Sequence, residues 1–432
     1  MAVTWGGKRP EQVKTREEET STVQRFDVVF ERAKFADGTI ASLGVRSGRI
    51  AAISTDAPLS NAPQRTDLED MLVVPGLVDG HLHLDKSFIG EAWKPHRPCT
   101  NGFNVHERVA FEKELLASAQ PVEKRAKALT ELAIARGTMY MRTHVDIDAG
   151  VGLRNLNAVL AVKELYHDFV TIEVVAFPQS GIIASPGTAD LMDEAIMNGA
   201  ELVGGLDPGG FDRSIEGHLD VVFGIAERRG VGIDIHLHDP DTLGIFELED
   251  IARRTKALGM SGHVTVSHAY ALGQVPADTA KRVSHVLAET GVAIMTNAPG
   301  DRPFPPINIL RNAGVLVFSG NDNIRDAWWP YGDGDMIQRA MIVGYCSGFY
   351  TDEELAFAFD MVSSNGASAL RIPGYGLDCG APANFIALPA RNVQEAVVAC
   401  PRERSVYRAG KLICQSGEIH AVKTTEPESI GK

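Results

Sequence analysis

Histidines and an aspartate recur directly after apolar stretches of this chain, in positions that suit a metal ion. His81 and His83 form an HxH pair after LVVPGLVDG, and His236 and His238 form a second pair after GVGIDI. Asp322 follows GVLVFSGN. Residues two apart in a β-strand point to the same face, so both imidazoles of a pair can reach one cation. Buried imidazoles with a carboxylate and without thiolates favour Zn²⁺ or Fe²⁺ with open positions for water.

The elements that must position these residues are short apolar runs, each following a helical pattern. Eight runs are expected strands, at 72–83, 138–147, 170–177, 201–208, 230–238, 263–269, 291–298 and 314–322. Continuous apolar runs with helical crossovers indicate a parallel sheet. The repeat of about 30 residues is the size of a βα unit. We therefore predict an α/β fold, a (β/α)₈ TIM-like barrel with its chemistry at the carboxyl ends of the strands.

The remaining segments predict the domain organisation. The barrel is expected over 74–379, and the long gap 84–137 predicts an inserted loop or helical hairpin over its mouth. Both flanks, 26–73 and 380–420, alternate in the manner of β-strands with DG, SG and AG turns, so we expect them to pair into one small β-sandwich domain. Residues 1–25 and 421–432 are expected to be polar tails.

Composition limits the classes of partner. A net charge of -14 disfavours nucleic acids and anionic membranes, whose phosphates would be repelled. The five cysteines are widely spread and form no CxxC pair, which is typical of reduced thiols. No stretch resembles a signal peptide or a membrane span. We expect a cytoplasmic homo-oligomer that binds a small-molecule heterocycle and neither nucleic acid nor membrane.

Several stretches together resemble the amidohydrolase superfamily, specifically its cytosine-deaminase branch, over roughly residues 26–420. They read PGLVDGHLHLDKSF, MRTHVDID, VVAFPQSG, IDIHLHD and VSHAY. Several of them are also similar to a triazine-ring hydrolase of the same branch. The resemblance implies hydrolysis of a C–N bond in an amino- or alkylamino-pyrimidine or triazine.

The resemblance also implies a ligand set and two contacts to substrate. One metal ion would be bound by His81, His83, His236 and Asp322. His268 would hydrogen-bond the substrate or the attacking water, and Gln179, in FPQSG, would read a ring edge. The predicted strand 201–208 has no lysine of the kind that bridges two metals in relatives, which favours a single ion.

Two departures point away from cytosine itself. Cytosine deaminases place a glutamate three residues after the histidine of the fifth strand, whereas this chain has Asp239 there, with His238 between. They usually carry Asp-Asp after the eighth strand, whereas this chain has Asp322 followed by Asn323. The triazine hydrolase shares both features.

These residues predict a mechanism in which the ion lowers the pKa of a water, and the resulting hydroxide attacks a ring carbon so that an amine leaves. Asp322 accepts the proton of the water. His238, with Lys86 nearby, donates a proton to the leaving nitrogen, and His268 stabilises the developing charge. Two alternatives remain: the same site hydrolyses a cyclic or acyclic amide or carbamate, or the barrel is a non-catalytic subunit.

Several further candidates carry a structural alternative. Asp239 either shuttles a proton or caps the following helix, and Gln179 either reads substrate or satisfies backbone groups. Trp328 and Phe88, together with Asn323, are expected to bind substrate, although large side chains at a barrel mouth are as often plain packing. His144 and Asp146 are expected to hydrogen-bond a metal ligand, and Asp207 to orient His236 or His268.

Overall fold

A computed structural model describes residues 25–60 and 62–420. The tail predicted for residues 1–25 lies outside the described residues except for Arg25, and the tail predicted for 421–432 lies outside them entirely. Within the described ranges, no helix combines the length and the apolar character needed to cross a membrane.

The N-terminal flank forms five strands. They are β1 (Val28–Lys34), β2 (Ile40–Arg46), β3 (Arg49–Ser54), β4 (Gln64–Asp67) and β5 (Leu72–Pro75). β1, β2 and β3 pair antiparallel in sequence order, while β4 and β5 pair parallel to β1. β5 is the last strand of this flank, and the chain passes from it directly into the barrel.

The predicted barrel is confirmed. Its eight strands are β6 (Leu77–Leu82), β7 (Thr138–Asp146), β8 (Thr171–Phe177), β9 (Leu202–Leu206), β10 (Gly232–Leu237), β11 (Val264–His268), β12 (Ala293–Met295) and β13 (Val317–Phe318). Neighbours in sequence pair in parallel from β6 to β13. The first and last strands are joined by backbone hydrogen bonds, from Gly80 to Ser319 (3.1 Å) and from Asp322 to His81 (2.7 Å). These bonds bring the two ends of the sheet together.

Helices connect and cover the strands. The insertion after β6 contains α1 (Val105–Leu116) and α2 (Val122–Ala135), so it includes the predicted helical pair. The others are α3 (Arg154–Leu165), α4 (Thr188–Met197), α5 (Ile215–Arg229), α6 (Asp241–Ala257), a 3₁₀ turn (Tyr270–Gly273), α7 (Ala277–Thr290), α8 (Ile307–Ala313), α9 (Met336–Ser347), α10 (Asp352–Asp360), α11 (Ser364–Ala369) and α12 (Val393–Ala399).

The C-terminal flank completes the small sheet begun by β1–β5. It adds β14 (Phe385–Leu388), β15 (Ser405–Arg408), β16 (Lys411–Gln415) and β17 (Glu418–Ile419). β14 pairs antiparallel with β5, so both flanks belong to one nine-stranded sheet. Backbone hydrogen bonds between Ile50 and residues 380–381 also link β3, at the far edge of this sheet, to the segment before β14. The two flanks therefore share a core.

That core contains an aromatic cluster drawn from both flanks. Phe30 lies 5.0 Å from Phe385 and 4.9 Å from Tyr407 between ring centroids, and Phe385 stacks on Tyr407 at 4.7 Å. All three rings are buried. Aromatic pairs at such distances add to the energy of area burial, so this cluster binds the flanks to each other.

The junction between the two sheets corrects one expectation. The run 72–83 is not a single strand, because it divides at Gly76 into β5 of the small sheet and β6 of the barrel. A Cβ at Gly76 would lie 2.3 Å from Met139 Sδ, so any other residue here would require the Met139 side chain to move. The Gly76 carbonyl accepts a hydrogen bond from Tyr375 Oη at 2.8 Å. The junction therefore holds the strand that carries His81 in place.

Phe385→Ala is expected to lower the free energy of unfolding by about 3–5 kcal/mol, because it leaves a cavity beneath Phe30 and Tyr407. Chemical denaturation followed by circular dichroism measures the change. Val398→Ala, at a position that is 65% exposed on α12, is the matched control and should leave the midpoint unchanged. Equal midpoints for the two variants would contradict a shared core.

Candidate active site

The structure brings together the four side chains that were predicted as metal ligands. His81 lies at the end of β6 with His83 just beyond it, His236 lies on β10, and Asp322 follows β13. One potential ligand atom from each lies within 4.8 Å of the others, and all four residues are buried. The Nε2 atoms of His81 and His83 lie 3.6 and 3.4 Å from Asp322 Oδ1. His83 Nε2 lies 3.4 Å from His236 Nε2.

A hydrogen-bonded chain determines the tautomer of His81. Ser267 Oγ donates to Asp234 Oδ1 (2.7 Å) and therefore accepts from His81 Nδ1 (2.9 Å). Burial raises the pKa of Asp234 to about 6, partly offset by the adjacent Arg142 guanidinium, so this carboxylate is ionised at neutral pH. With the proton on Nδ1, His81 presents the Nε2 lone pair towards Asp322.

His83 is oriented in the same sense by the backbone of β7. Its Nδ1 lies 3.3 Å from the carbonyl oxygen of His144, which can only accept, so Nδ1 carries the proton. Its Nε2 lone pair therefore faces Asp322, as that of His81 does. Within the described part of the chain, His81 Nε2 has no hydrogen-bond partner. Lone pairs that face a buried carboxylate repel it, and a divalent cation between them removes this cost. The residues present thus fit a metal ion.

Electrostatics keeps these groups in the forms that bind metal. Burial lowers the pKa of His81 and His236 well below the usual value, and the neighbouring imidazoles lower it further. Both rings are therefore neutral. Burial on its own would raise the pKa of Asp322, but the positive charge that His268 and the neighbouring imidazoles carry at acidic pH lowers it below its usual value. Neutral imidazoles and an ionised carboxylate are the forms in which these groups coordinate a cation.

Asp322 adopts a backbone conformation that residues other than glycine rarely adopt. Its φ is 60°, a left-handed value that aspartate tolerates better than most residues. Its backbone N–H donates to the His81 carbonyl, and its Oδ2 accepts from Asn297 Nδ2 at 2.8 Å. The second bond leaves Oδ1 directed towards the histidines. The geometry of the last strand end is therefore held by both its main chain and its side chain.

His238 forms a dyad with Asp207. The Asp207 carboxylate accepts from the backbone N–H of His238 at 2.5 Å and from its Nδ1 at 2.9 Å. The expectation that Asp207 orients His236 or His268 is therefore wrong, because Asp207 bonds His238 instead. A carboxylate on Nδ1 fixes the proton there and leaves Nε2 as the atom that exchanges protons.

His268 stacks against this dyad. Its ring lies 4.6 Å from that of His238 at an interplanar angle of 21°. Burial lowers the pKa of His268 to about 3, so the ring is neutral. Neither ring nitrogen has a hydrogen-bond partner among the described residues. His268 therefore presents a neutral, unpaired imidazole to the same small space.

Lys86 and Gln179 form the opposite wall. Lys86 Nζ lies 3.0 Å from Asp146 Oδ1 and 3.5 Å from Glu112 Oε2, and it donates to Gln179 Oε1. Burial alone would lower the pKa of Lys86, but these carboxylates raise it above its usual value, so the ammonium stays charged. Because Lys86 occupies Oε1, the Gln179 amide presents its NH₂ group, which has no partner in the described part of the chain.

Two adjacent cavities lie beside the metal ligands. The inner one, of about 20 Å³, is lined by His83, Lys86, Phe177, Gln179, Leu206, His236, His238, His268, Asp322, Asn323 and Trp328. The outer one, of about 390 Å³, has aromatic walls that include Phe103, Tyr270, Trp328, Trp329 and Tyr331. Both share His238, Asp322, Asn323 and Trp328. Phe88 and Asp239 are exceptions among the residues predicted to be catalytic or to bind substrate or metal. All the others line one of these cavities or belong to the metal-ligand cluster.

Phe88 and Asp239 lie outside both linings as the described residues form them. The Phe88 ring is covered by Lys94 Nζ, 4.9 Å from its centroid. Asp239 Oδ2 accepts from the Gly210 backbone N–H at 2.7 Å, and the N-cap of α6 is Pro240. Asp239 therefore fastens the loop after β9 to the loop after β10, a role that neither sequence alternative included.

His144 hydrogen-bonds a metal ligand as expected, although through its backbone, whereas Asp146 does not. The ring of His144 lies 3.9 Å from that of His81 between centroids, and it is the backbone carbonyl of His144 that bonds His83. His81, His144 and Asp234 also form a second group whose ligand-type atoms lie close together. Asp146 pairs with Lys86 rather than with a metal ligand.

Sequence reasoning missed four contributors to the site. Asn297 follows β12 at the same barrel end as the ligands, so its position was a usable signal. Ser267 and Asp234 lie on β11 and β10 beneath the ligands, and alternation along those strands could have placed them. Glu112 lies on a helix of the insertion whose positions other than Val109 are exposed or half-buried, where a glutamate normally indicates a solvated face.

Known proteins share sequence and structure with this chain over most of its length. A model of the Amidohydrolase family matches residues 64–414. The chain is 30% identical over 404 residues to N-isopropylammelide isopropyl amidohydrolase of Pseudomonas sp. (strain ADP), covering 92% of this chain and 99% of that protein. The crystal structure of N-isopropylammelide isopropylaminohydrolase from Burkholderia multivorans ATCC 17616 is similar at a TM-score of 0.86 and 37% identity, over 91% of this chain and 99% of that one. That of 5-methylcytosine deaminase from Klebsiella pneumoniae, liganded with 5-fluorocytosine, is similar at a TM-score of 0.80 and 27% identity, over 91% and 98%.

Asp322→Asn is expected to lower the metal content of the purified protein well below one ion per chain, because an amide replaces the charged ligand and no longer compensates the cation. Inductively coupled plasma mass spectrometry measures the content. His167→Ala, at a histidine whose side chain is 63% exposed, should retain the metal of the parent protein. A full complement of metal in Asp322→Asn would contradict this site.

Proposed function

The chain belongs to the amidohydrolase family, and from that premise we propose that it removes ammonia or an alkylamine from an amino- or alkylamino-substituted pyrimidine or triazine. Metal-dependent hydrolysis of C–N bonds in small nitrogen heterocycles is its general activity. The observation that carries the finer proposal is the inner cavity, where the metal ligands face His238, His268 and the Gln179 amide within one small space.

We propose that His81, His83, His236 and Asp322 hold one Zn²⁺ or Fe²⁺ ion. A divalent cation bound there supplies a Lewis acid that brings the pKa of a water towards neutrality. Asp322 Oδ1 faces the same space as the imidazoles, while Oδ2 is held by Asn297. Oδ1 is thus placed to take the proton that the attacking water loses.

His238 is the proposed donor to the leaving nitrogen. Asp207 holds the proton on its Nδ1, so Nε2 is the atom that takes up from Asp322 the proton lost by the water and passes it to the leaving nitrogen. The ammonium of Lys86 is unsuited to this step, since its neighbouring carboxylates keep its pKa above the usual value. We propose that Lys86 acts instead through its charge and through Gln179. Asp239 acts as a positioning residue for the loops on either side of the dyad.

The wall opposite the metal is suited to hydrogen-bond acceptors. Gln179 presents its NH₂ group because Lys86 occupies its oxygen, and His268 adds a neutral imidazole. A ring edge that carries an oxo group or an unprotonated nitrogen satisfies these groups, whereas an amino group at that edge would leave donors facing donors. The proposed substrates therefore carry an oxo group or an unprotonated ring nitrogen beside the amine that leaves.

The aromatic outer cavity leaves room for an alkyl group on the leaving amine. Trp328, Trp329 and Tyr331 supply apolar walls directly above Asn323, which is shared by both cavities. We further propose a cytoplasmic location, which is supported by cysteines that are all free in residues 25–60 and 62–420. Assembly into a homo-oligomer stays a prediction.

Amino- and alkylamino-substituted pyrimidines, triazines and pterins, supplied with Zn²⁺, Fe²⁺ or Mn²⁺, are expected to release amine while the ring stays intact. Mass spectrometry of the products distinguishes this outcome from opening of a cyclic amide. The protein treated with a chelator should lose the activity and regain it on metal addition. Release of a ring-opened product, or no turnover across the panel, would contradict the proposal.

His238→Asn is expected to lower kcat by about 10²–10⁴-fold, because no group then protonates the leaving nitrogen. Steady-state kinetics with the best substrate of the panel measures the loss, and metal content should stay at the parent level. His285→Asn, at an exposed position on α7, is the control. An unchanged kcat in His238→Asn would assign proton donation to another group.

A further inference from the structure

We propose that Glu112, on helix α1 of the insertion, is a positioning residue that fixes the indole of Trp328 and so controls passage between the inner and outer cavities. Its side chain is 1% exposed, and Glu112 and Val109 are the buried residues of α1, whose other positions are exposed or half-buried. Glu112 Oε2 accepts from Trp328 Nε1 at 2.5 Å. The same oxygen lies 3.5 Å from Lys86 Nζ. The proposal about passage rests on the proposed function, whereas the contact itself does not.

A buried carboxylate on this helix requires an explanation. Removing an ionised carboxylate from water is costly unless charges or donors compensate it. Trp328 and Lys86 compensate Glu112, and both side chains line the inner cavity. By contrast, Glu114 on the same helix is 65% exposed and pairs with Arg97 at the surface. Glu112 is therefore directed to the site, while its neighbour serves the surface.

Two sets of hydrogen bonds hold Trp328, and only one of them acts on its ring, which also packs against the apolar cluster that contains Val109 and Phe177. Asp326 Oδ1 accepts from the backbone N–H groups of Trp328 and Trp329 at 2.8 and 2.9 Å, which fixes the main chain. The side chain is held through its indole N–H by Glu112. A buried indole N–H needs a partner, and its loss lets the ring choose another rotamer.

The position of this ring matters because it borders both cavities. The indole lies 6.5 Å from the ring of His238 at an interplanar angle of 24°, and it lines the inner and the outer cavity. A substituent on the leaving nitrogen that extends from His238 towards the outer cavity must pass it. A displaced indole therefore impairs alkylamino substrates more than amino substrates, since only the former need the passage.

Glu112 interacts more strongly with the indole, at 2.5 Å, than with Lys86, at 3.5 Å. Lys86 also has Asp146 as a partner, at 3.0 Å. This ordering makes two variants informative. Glu112→Gln retains an oxygen acceptor for the indole and removes the charge. Glu112→Ala removes both, so a large difference between the two assigns the effect to the hydrogen bond.

The direct test does not depend on a substrate. The protein labelled with 5-fluorotryptophan gives a fluorine NMR resonance for Trp328 that Trp328→Phe identifies by its disappearance. Glu112→Ala is expected to shift and broaden this resonance, Glu112→Gln to shift it only slightly, and Glu114→Ala to leave it unchanged. An unaltered Trp328 resonance in Glu112→Ala, in a protein with the parent melting temperature, would overturn the proposal.

The kinetic test uses a matched pair of rings that differ only in amino or alkylamino substitution. Glu112→Ala is expected to raise KM for the alkylamino ring roughly 10- to 100-fold, because it removes a charge-assisted hydrogen bond. The change in KM for the amino ring should be smaller, and kcat should change little for both. The double variant Glu112→Ala/Trp328→Phe should be no worse than Trp328→Phe. Equal effects on both rings, or additive losses, would overturn the control of passage. Absence of turnover in the parent protein would instead refute the proposed function and leave the NMR result to decide the contact.

Discussion

The backbone hydrogen bond from Asp322 to His81 is the constraint on which the site depends. It joins the last barrel strand to the first and, by the same contact, places a carboxylate opposite two imidazole lone pairs. Gly320 makes this approach possible, because a Cβ there would lie 2.4 Å from the backbone nitrogen of His81. Closure of the barrel and assembly of the cation site are therefore one structural event.

Around this centre, protons are held in fixed places by carboxylates. Asp234, through Ser267, keeps the proton of His81 away from the cavity, and Asp207 does the same for Nδ1 of His238. The charged Lys86 lies on the opposite wall and holds the oxygen of Gln179. The inner cavity thus combines neutral imidazoles on one side with fixed donors on the other. This polarity, more than the size of the space, restricts which ring edge can enter.

The fold was predictable because buried parallel strands are continuous apolar runs separated by amphipathic helices, and the HxH pair lies where such a run ends. The family and its triazine and cytosine likeness, inferred from the motifs, are confirmed by the relatives. Contacts between distant segments were not predictable. Nothing local shows that Asp207 turns to His238, that Asp239 bonds Gly210, or that Phe88 lies under Lys94. Glu112 was missed because helical periodicity cannot show that one glutamate faces a neighbouring wall.

The single-residue junction at Gly76 couples local unfolding of the flanking sheet to the barrel. β5 is hydrogen-bonded into the flanking sheet and β6 into the barrel, with no linker between them. Local unfolding usually occurs in contiguous cooperative units, which need not coincide with domain boundaries. Here the cooperative unit that contains the HxH pair extends into the flanking sheet, because the backbone passes from β5 to β6 without a linker. Fraying of the C-terminal hairpins would therefore be transmitted to the cation-binding end of β6, and the barrel is unsuited to excision as a minimal catalytic fragment.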